Sequence, residues 1–337
     1  MKSCVEVLLN WFINNKRNLP WREDINPYHV WISEIMLQQT RIEAVIEYYK
    51  RFIKRIPDIK TLSEIREDEL LKLWEGLGYY SRARNLRKAA IIIMEKYGGL
   101  FPSKYEDIKS LPGIGEYTAG AIASICFNLG EVAVDGNVMR VYCRIENKDL
   151  DVGDLKVKKE IGNYIKNILP KDSGNFNQAI MELGEVICIP NGAPKCSLCP
   201  LNKKCLAHKY HREEVIPRKI IKKEKEIEEY TVLIIKYKDL IAIKKRNSGL
   251  LKNMWELPNV LGKFNCNEVI NLIPNMLSCK ESISNTHIFT HKKWNMISYI
   301  IEVSQKDSSY TWVSLEQLTN EYAIPSAFQP FLKEIEK

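Results

Sequence analysis

No run of eighteen uncharged apolar residues occurs anywhere in the 337-residue chain, so no helix is expected to cross a membrane. The N-terminus, MKSCVEVLLNWFINNKR, lacks a small-residue cleavage pattern behind an apolar segment, so export is not expected either. Internal repeats and low-complexity segments are also missing, which excludes repeat architectures. Neither sign of charge dominates: 50 Lys and Arg against 42 Asp and Glu leave +8, an excess that suits a polyanionic partner without requiring one. What is present, 45% hydrophobic and 27% charged residues, describes a folded chain long enough for two domains. The expected location is the cytosol, where nine cysteines would be free thiols or metal ligands and not pairs.

From the N-terminus to about Leu206 the apolar spacing is helical. Asn26-Pro27 is a start signal, with Asn as N-cap and Pro in the first turn, and it predicts one helix running through Glu34 to about Phe52. Further helices are expected at Glu67 to Leu77, Ala83 to Tyr97, Tyr105 to Ser110, Tyr117 to Leu129, Val138 to Arg144, Lys156 to Leu169 and Asn177 to Ile187. Charges then crowd together in KYHREEVIPRKIIKKEKEIEE, which reads as a linker over residues 209–228. Beyond it YTVLIIKY and LIAIKKR form an expected hairpin, WNMISYIIEV and YTWVSL further strands, and EQLTNEY and FQPFLKEIE short helical pieces, giving an α+β domain at 229–337.

The densest chemical signal is CIPNGAPKCSLCPLNKKC. Cys188, Cys196, Cys199 and Cys205 are spaced C-x7-C-x2-C-x5-C, close enough to surround one metal centre. Spacing alone leaves structural zinc and an iron–sulfur cubane level, because zinc more often uses two C-x2-C knuckles and only one is here. Lys195, Lys203 and Lys204 could turn such a loop toward phosphates. In LPGIGEYTAGAIASI, Gly113 and Gly115 open directly into an Ala-rich helix. Small residues there let a phosphate reach backbone amides at a positive helix end, although a plain tight turn has the same spacing.

Two carboxylates complete the set. Glu34, in WISEIMLQQT, has Val30, Trp31, Leu37 and Gln38 as its helical neighbours and no basic residue on its face. Burial there raises a carboxyl pKa and keeps a proton available; a solvent-facing glutamate is the plainer alternative. Asp135, in VAVDGNVMRV, is placed to cap the next helix, whose amides would hold it ionised. One neutral and one charged carboxyl is what glycosidic cleavage requires: an acid for the leaving group and an anion for the cationic sugar.

SEIMLQQT, GLGYYSRARNL, LPGIGEYTAG, VDGNVMRV and the four-cysteine run, in that order, resemble the endonuclease III superfamily and within it the MutY-type adenine DNA glycosylases, over about residues 5 to 206. The resemblance implies an all-α helix-hairpin-helix glycosylase fold at 1–208, with the hairpin at 105–129 and a [4Fe-4S] cluster loop at 188–205. It implies excision of adenine mispaired with 8-oxoguanine or G in duplex DNA by a monomeric, cytoplasmic, nucleoid-associated enzyme that first flips the base out. Glu34 would protonate adenine at N7 and Asp135 support the sugar cation, with Tyr117 and Asn137 beside them. Gln39, Thr40 and Tyr79 would contact DNA on the 8-oxoguanine side, and Gly113 and Gly115 the backbone. Endonuclease III-type enzymes that cleave the strand carry lysine where Tyr117 stands, and a phenol forms no Schiff base, so a monofunctional enzyme is expected. GLLKNMWELPN and HIFTHKKW resemble the family's Nudix-like domain, with Phe289, Thr290 and His291 standing where relatives use Phe-Ser-His to contact 8-oxoguanine. No glutamate-rich metal box follows Trp255, which argues against pyrophosphatase activity. The first cysteine gap holds seven residues where six is usual. A bifunctional pyrimidine glycosylase and a non-catalytic DNA-binding protein are the alternatives, disfavoured by Tyr117 and by the presence of both carboxylates.

Overall fold

The structure, a computed structural model, describes residues 1–218 and 224–335. The middle of the expected linker, 219–223, and the last two residues lie outside them. The chain divides into two compact units: Met1–Glu64 with Asn85–Ile221, and Ile65–Arg84 with Lys222–Lys337. Residues 65–84, expected within the helical domain, thus group with the second unit.

The first unit is helical, and its chain carries α1 (Val5–Asn15), α2 (Pro27–Leu37), α3 (Ile42–Arg55) and α4 (Ile59–Glu64). The short α5 (Glu67–Leu73) belongs to the second unit, and α6 (Ser81–Tyr97) crosses the division. The first unit continues with α7 (Tyr105–Lys109), α8 (Glu116–Phe127), α9 (Gly136–Ile145), α10 (Leu155–Ile168), α11 (Ser173–Val186) and α12 (Leu206–Lys209). Asn26 caps α2 by accepting from the Tyr28 amide at 2.9 Å, with Pro27 in the first turn. The single long helix expected from there does not form. It stops at Leu37, Gln39 takes φ +59, and α3 restarts at Ile42. From Tyr28 to Met36 every side chain of α2 except His29 is buried whichever way it points, so this helix runs through the interior and not along a surface. Glu34 is enclosed for that reason.

A helix of small residues packs close to its neighbours. Ala119, Gly120, Ala121 and Ala123 of α8 are all buried, and a Cβ on Gly120 would sit 2.0 Å from the Val132 carbonyl oxygen. That approach brings the extended segment 131–135 against α8. Asn177 of α11 secures it: its amide donates to Ser124 Oγ and to the Glu131 carbonyl, each at 2.9 Å, and accepts from the Ala133 amide at 3.3 Å. The buried apolar faces of α1, α9 and α11 close one core around Phe12, Tyr142, Phe176 and Leu183.

The second unit is built on a sheet: β1 (Glu226–Tyr237), β2 (Leu240–Lys245), β3 (Trp255–Glu256), β4 (Asn259–Leu261), β5 (Met276–Ile288), β6 (Lys292–Val303) and β7 (Thr311–Ser314). Its order is β3-β2-β1-β6-β5, with β4 on β1 and β7 on β2. The expected hairpin is β1–β2, in register Tyr237↔Leu240, while β1 and β6 run parallel over Glu226↔Lys292 to Lys236↔Glu302. The first strand therefore starts inside the stretch read as linker. Helices α13 (Cys266–Ile270), α14 (Leu315–Glu321) and α15 (Gln329–Ile335) complete the unit. Apolar side chains on the two faces of the sheet make two cores, one around Trp294, Phe328 and Phe331 and the other around Ile235, Tyr299 and Ile301. Cys266 and Cys279 form a disulfide between α13 and β5. This corrects the expectation of free or metal-bound thiols throughout: α13 and the start of β5 bring those two residues together, a pairing that a separation of 13 positions did not advertise.

Candidate active site and cysteine centre

A cleft of about 390 Å³ opens in the helical unit, and Glu34, Tyr117, Asp135 and Asn137 all line it, together with Thr40. Each arrives from a different direction. Glu34 comes from the buried α2, Tyr117 from the first turn of α8, and Asp135 from the N-cap of α9.

Glu34 is 8% exposed, and its Oε2 is buried with no hydrogen-bond partner. Burial pushes its carboxyl up to about 7; the negative charge of Asp135 adds to this, while the Tyr117 hydroxyl and the Arg22 charge oppose it. Tyr117 is driven upward as well, first by burial and then by the two carboxylates, so it stays a phenol and also donates to Met181 Sδ at 3.2 Å. A carboxyl poised near 7 can give up a proton at physiological pH, which one at the ordinary value cannot.

Asp135 accepts from the Val138 amide at 2.8 Å and from Asn137 Nδ2 at 2.9 Å, as its predicted capping role requires. Burial nonetheless outweighs these donors in their effect on its pKa, which is raised from the ordinary carboxylate value. Even so, the Val138 amide, the Asn137 amide and the Arg140 charge all favour its anion, whereas one oxygen of Glu34 has nothing. The two carboxyls are thereby set apart in kind.

Asn137 is itself held. Arg140 Nη2 donates to Asn137 Oδ1 at 2.7 Å and to the Gly184 carbonyl at 2.9 Å, and its Nε donates to the Cys188 carbonyl at 2.7 Å. Gly184 leaves room for this, since a Cβ there would lie 2.6 Å from Asn137 Cβ. A chain of hydrogen bonds thus runs from the first cysteine through Arg140 and Asn137 to Asp135.

The four cysteines surround one small cavity of about 20 Å³, lined also by Arg144, His208 and Glu213. The long first gap is taken up by a turn at Gly192, φ +77, and closed by the Lys195 amide donating to the Ile187 carbonyl at 3.0 Å. Arg144, 3% exposed, donates to Cys188 Sγ at 3.3 Å. Such a buried guanidinium suits an anionic thiolate centre. Among the described residues the one set of three ligand atoms within 4.8 Å of one another is Cys196, His208 and Glu213, so no three of the four sulfurs gather that tightly. A tetrahedral zinc with sulfur at about 2.3 Å would need them roughly 3.8 Å apart. The sulfurs are thus set wider than a single tetrahedral zinc requires.

Leu111, Gly113, Ile114 and Gly115 join α7 to α8. Gly113 has φ +81, and a Cβ there would meet Asn85 Cβ at 2.8 Å, so glycine is required on two counts. Gly115 is the N-cap of α8 and brings no side-chain acceptor to the first-turn amides. Gln39 is the left-handed residue of the α2–α3 turn. Tyr79, Phe289, Thr290 and His291 lie in the second unit, where the Tyr79 and Thr290 hydroxyls hydrogen-bond and Phe289 stacks edge-on to Trp294 at 4.7 Å. The predicted site residues therefore fall into two sets, one in each unit.

Sequence reasoning missed one wall of the cleft. Arg17, Arg22, Gln178 and Glu182 form a hydrogen-bonded group there. The signal was available: Glu182 in MELGEVI is, like Glu34, a carboxylate inside an apolar helical run.

Residues 32–167 match the model of the HhH-GPD superfamily of base excision DNA repair proteins, and residues 230–334 match that of the NUDIX domain. By class the chain is a DNA N-glycosylase of base excision repair, joined to a Nudix-like domain. An adenine DNA glycosylase of Buchnera aphidicola subsp. Baizongia pistaciae is 38% identical over 88% of this chain and 84% of its own length. Another, from Buchnera aphidicola subsp. Acyrthosiphon pisum, is 36% identical over 98% and 97%. The solved structure of a thermostable thymine-DNA glycosylase superposes with a TM-score of 0.56 at 27% identity, covering 62% of this chain and 96% of that one. The chain belongs to the adenine DNA glycosylase family. No helix among the described residues is long and apolar enough to cross a membrane.

Proposed function

We propose that the protein excises adenine opposite 8-oxoguanine or G from duplex DNA, hydrolysing the N-glycosidic bond and leaving an abasic site without cutting the strand. The observation that carries this reading is Glu34, enclosed in the cleft with a carboxyl near 7 and facing an Asp135 supplied with donors. The Glu34 proton passes to adenine N7 as the bond to the sugar breaks and its electron pair leaves with the base. Asp135, steadied by Asn137, stabilises the cationic sugar until water adds to it. Tyr117, at the position where a lysine would form an imine, supports the monofunctional reading, since a phenol has no amine to offer.

Gly113, Gly115 and the first turn of α8 would take a DNA phosphate, and Gln39, Thr40 and Tyr79 would contact the strands around the flipped base. Phe289, Thr290 and His291 would read 8-oxoguanine; Thr290 keeps the hydroxyl of the serine found in relatives, and its contact with Tyr79 pairs two residues of that role. Cys188, Cys196, Cys199 and Cys205 would hold a [4Fe-4S] cluster, which fixes the shape of the loop beside Arg140. The protein would act as a monomer on the nucleoid in the cytoplasm, where its substrate is.

The test is single-turnover adenine release from a duplex carrying A opposite 8-oxoguanine. Wild type releases adenine and Glu34→Gln does not; unchanged release by that variant removes the acid from the mechanism. Borohydride trapping of a strand-cleaving adduct would overturn the monofunctional assignment.

A further inference from the structure

Glu182 on α11 is 2% exposed, yet it faces the cleft. It accepts from Arg17 at the backbone amide (3.2 Å), at Nε (2.6 Å) and at Nη2 (3.2 Å), and from Arg22 Nη2 at 2.9 Å. Arg22 also donates from Nη1 to the Arg17 carbonyl at 3.2 Å and from Nε to Gln178 Oε1 at 3.1 Å. One carboxylate therefore holds two guanidinium groups, and a wall that would carry two positive charges carries one. Burial works against the Glu182 anion, but the two arginines outweigh it and hold its pKa below the usual range.

This matters because Arg22 acts electrostatically on Glu34, favouring its anion. The other titratable groups that bear on Glu34 are Tyr117 and Cys126 of α8 and Asp135 at the start of α9. Lys16, Asp24, Asp172 and Glu185 complete the charged lining of the cleft. Of all these, Glu182 is the group bonded directly to the one cation that opposes the proton on Glu34.

We propose that Glu182 is a positioning residue of the glycosylase cleft: it clamps Arg22 and offsets its charge, so that Glu34 keeps its proton at neutral pH. The proposal rests on the reading of Glu34 as the acid, and it acts through Arg22 without touching the base. An unclamped arginine within reach of a buried carboxyl lowers its pKa by on the order of one unit. The charge-free, same-shaped variant Glu182→Gln exposes that effect.

The experiment measures single-turnover adenine release against pH, together with the 13C carboxyl titration of Glu34, in the full-length cluster-loaded protein. In wild type the rate falls as pH rises through about 7. In Glu182→Gln both the falling limb and the titration midpoint move about one unit lower. They return toward the wild-type position in Glu182→Gln/Arg22→Gln and stay near it in Glu182→Asp, which keeps the charge. A merely structural role lowers the rate at every pH and leaves both midpoints in place, and that result overturns the proposal; so does a shift that persists when Arg22 is removed. Should Glu34→Gln release adenine normally, the acid reading fails on its own, and the Glu34 titration in the Glu182 variants still decides whether the clamp exists.

Discussion

Replacing Glu34 by glutamine should stabilise the protein in a manner that depends on pH. Glu34 titrates from the ordinary 4.5 to about 7 on folding, because the folded site favours the neutral acid. Between those values the unfolded chain has lost this proton and the native one has kept it, so stability falls as pH rises across the window and the full penalty persists above it. At about 1.36 kcal/mol per unit the penalty reaches about 3 kcal/mol near pH 8 and less than about 1 kcal/mol near pH 5. Glutamine ionises at neither, and whatever its amide costs in packing or lost hydrogen bonding is the same at both. The difference in stability between variant and wild type should therefore swing by about 2.5 kcal/mol in favour of the variant from about pH 5 to about pH 8. In a unit of this size that is roughly 5–10 °C in Tm, well within paired thermal scans at one heating rate. A swing near zero, or one that favours wild type at the higher pH, would mean that the native site does not keep Glu34 protonated, and the acid role would lose its physical basis.

Three other perturbations follow from the geometry. Arg140→Met strands the Asn137, Gly184 and Cys188 acceptors, and should cost about 3 kcal/mol and depress adenine release while sparing DNA affinity measured by fluorescence anisotropy. Gly113→Ala strains a positive-φ position and drives a methyl into Asn85, so it should lose about 1–3 kcal/mol and weaken binding to undamaged and damaged duplex alike. Reducing the Cys266–Cys279 bond, or changing both residues to Ser, should lower the stability of the second unit by about 3 kcal/mol, the amount for closing a loop of this length, and leave release from A:G duplex unchanged. Calorimetry with and without dithiothreitol reads it directly.

Much of the helical unit was legible because its signals are local. Asn26-Pro27 sets the start of α2, Asp135 that of α9, and Gly113 the turn into α8, each through a cap or a φ value that the residue type itself dictates. What failed was the continuation through Gln38 to Arg41, four polar residues without glycine or proline to mark the break. Gln39 enters the left-handed region without glycine, and nothing in its own chemistry announces that. Strand β5 was invisible for another reason. Over Met276–Ile288 its side chains are half-exposed or exposed, so no alternation of apolar and polar residues marks it; its partner β6 holds it in place.

The carboxylates show where residue chemistry stops being enough. An acid in an apolar helix predicts a raised pKa only if the helix is buried on every side, and α2 is buried because other helices surround it, a fact spread over the whole unit. Asp135 makes the converse point. Its cap was legible and the upward direction of its pKa was not, because the amides that favour its anion compete with a burial set by α8, α11 and segment 131–135. Glu182 carries the same sequence signature as Glu34 and has the opposite shift, since two arginines reach it from a loop about 160 positions away. Similar local patterns thus give one carboxyl with a raised pKa and one with a lowered pKa, and the difference lies in which buried carboxylate the fold supplies with cations.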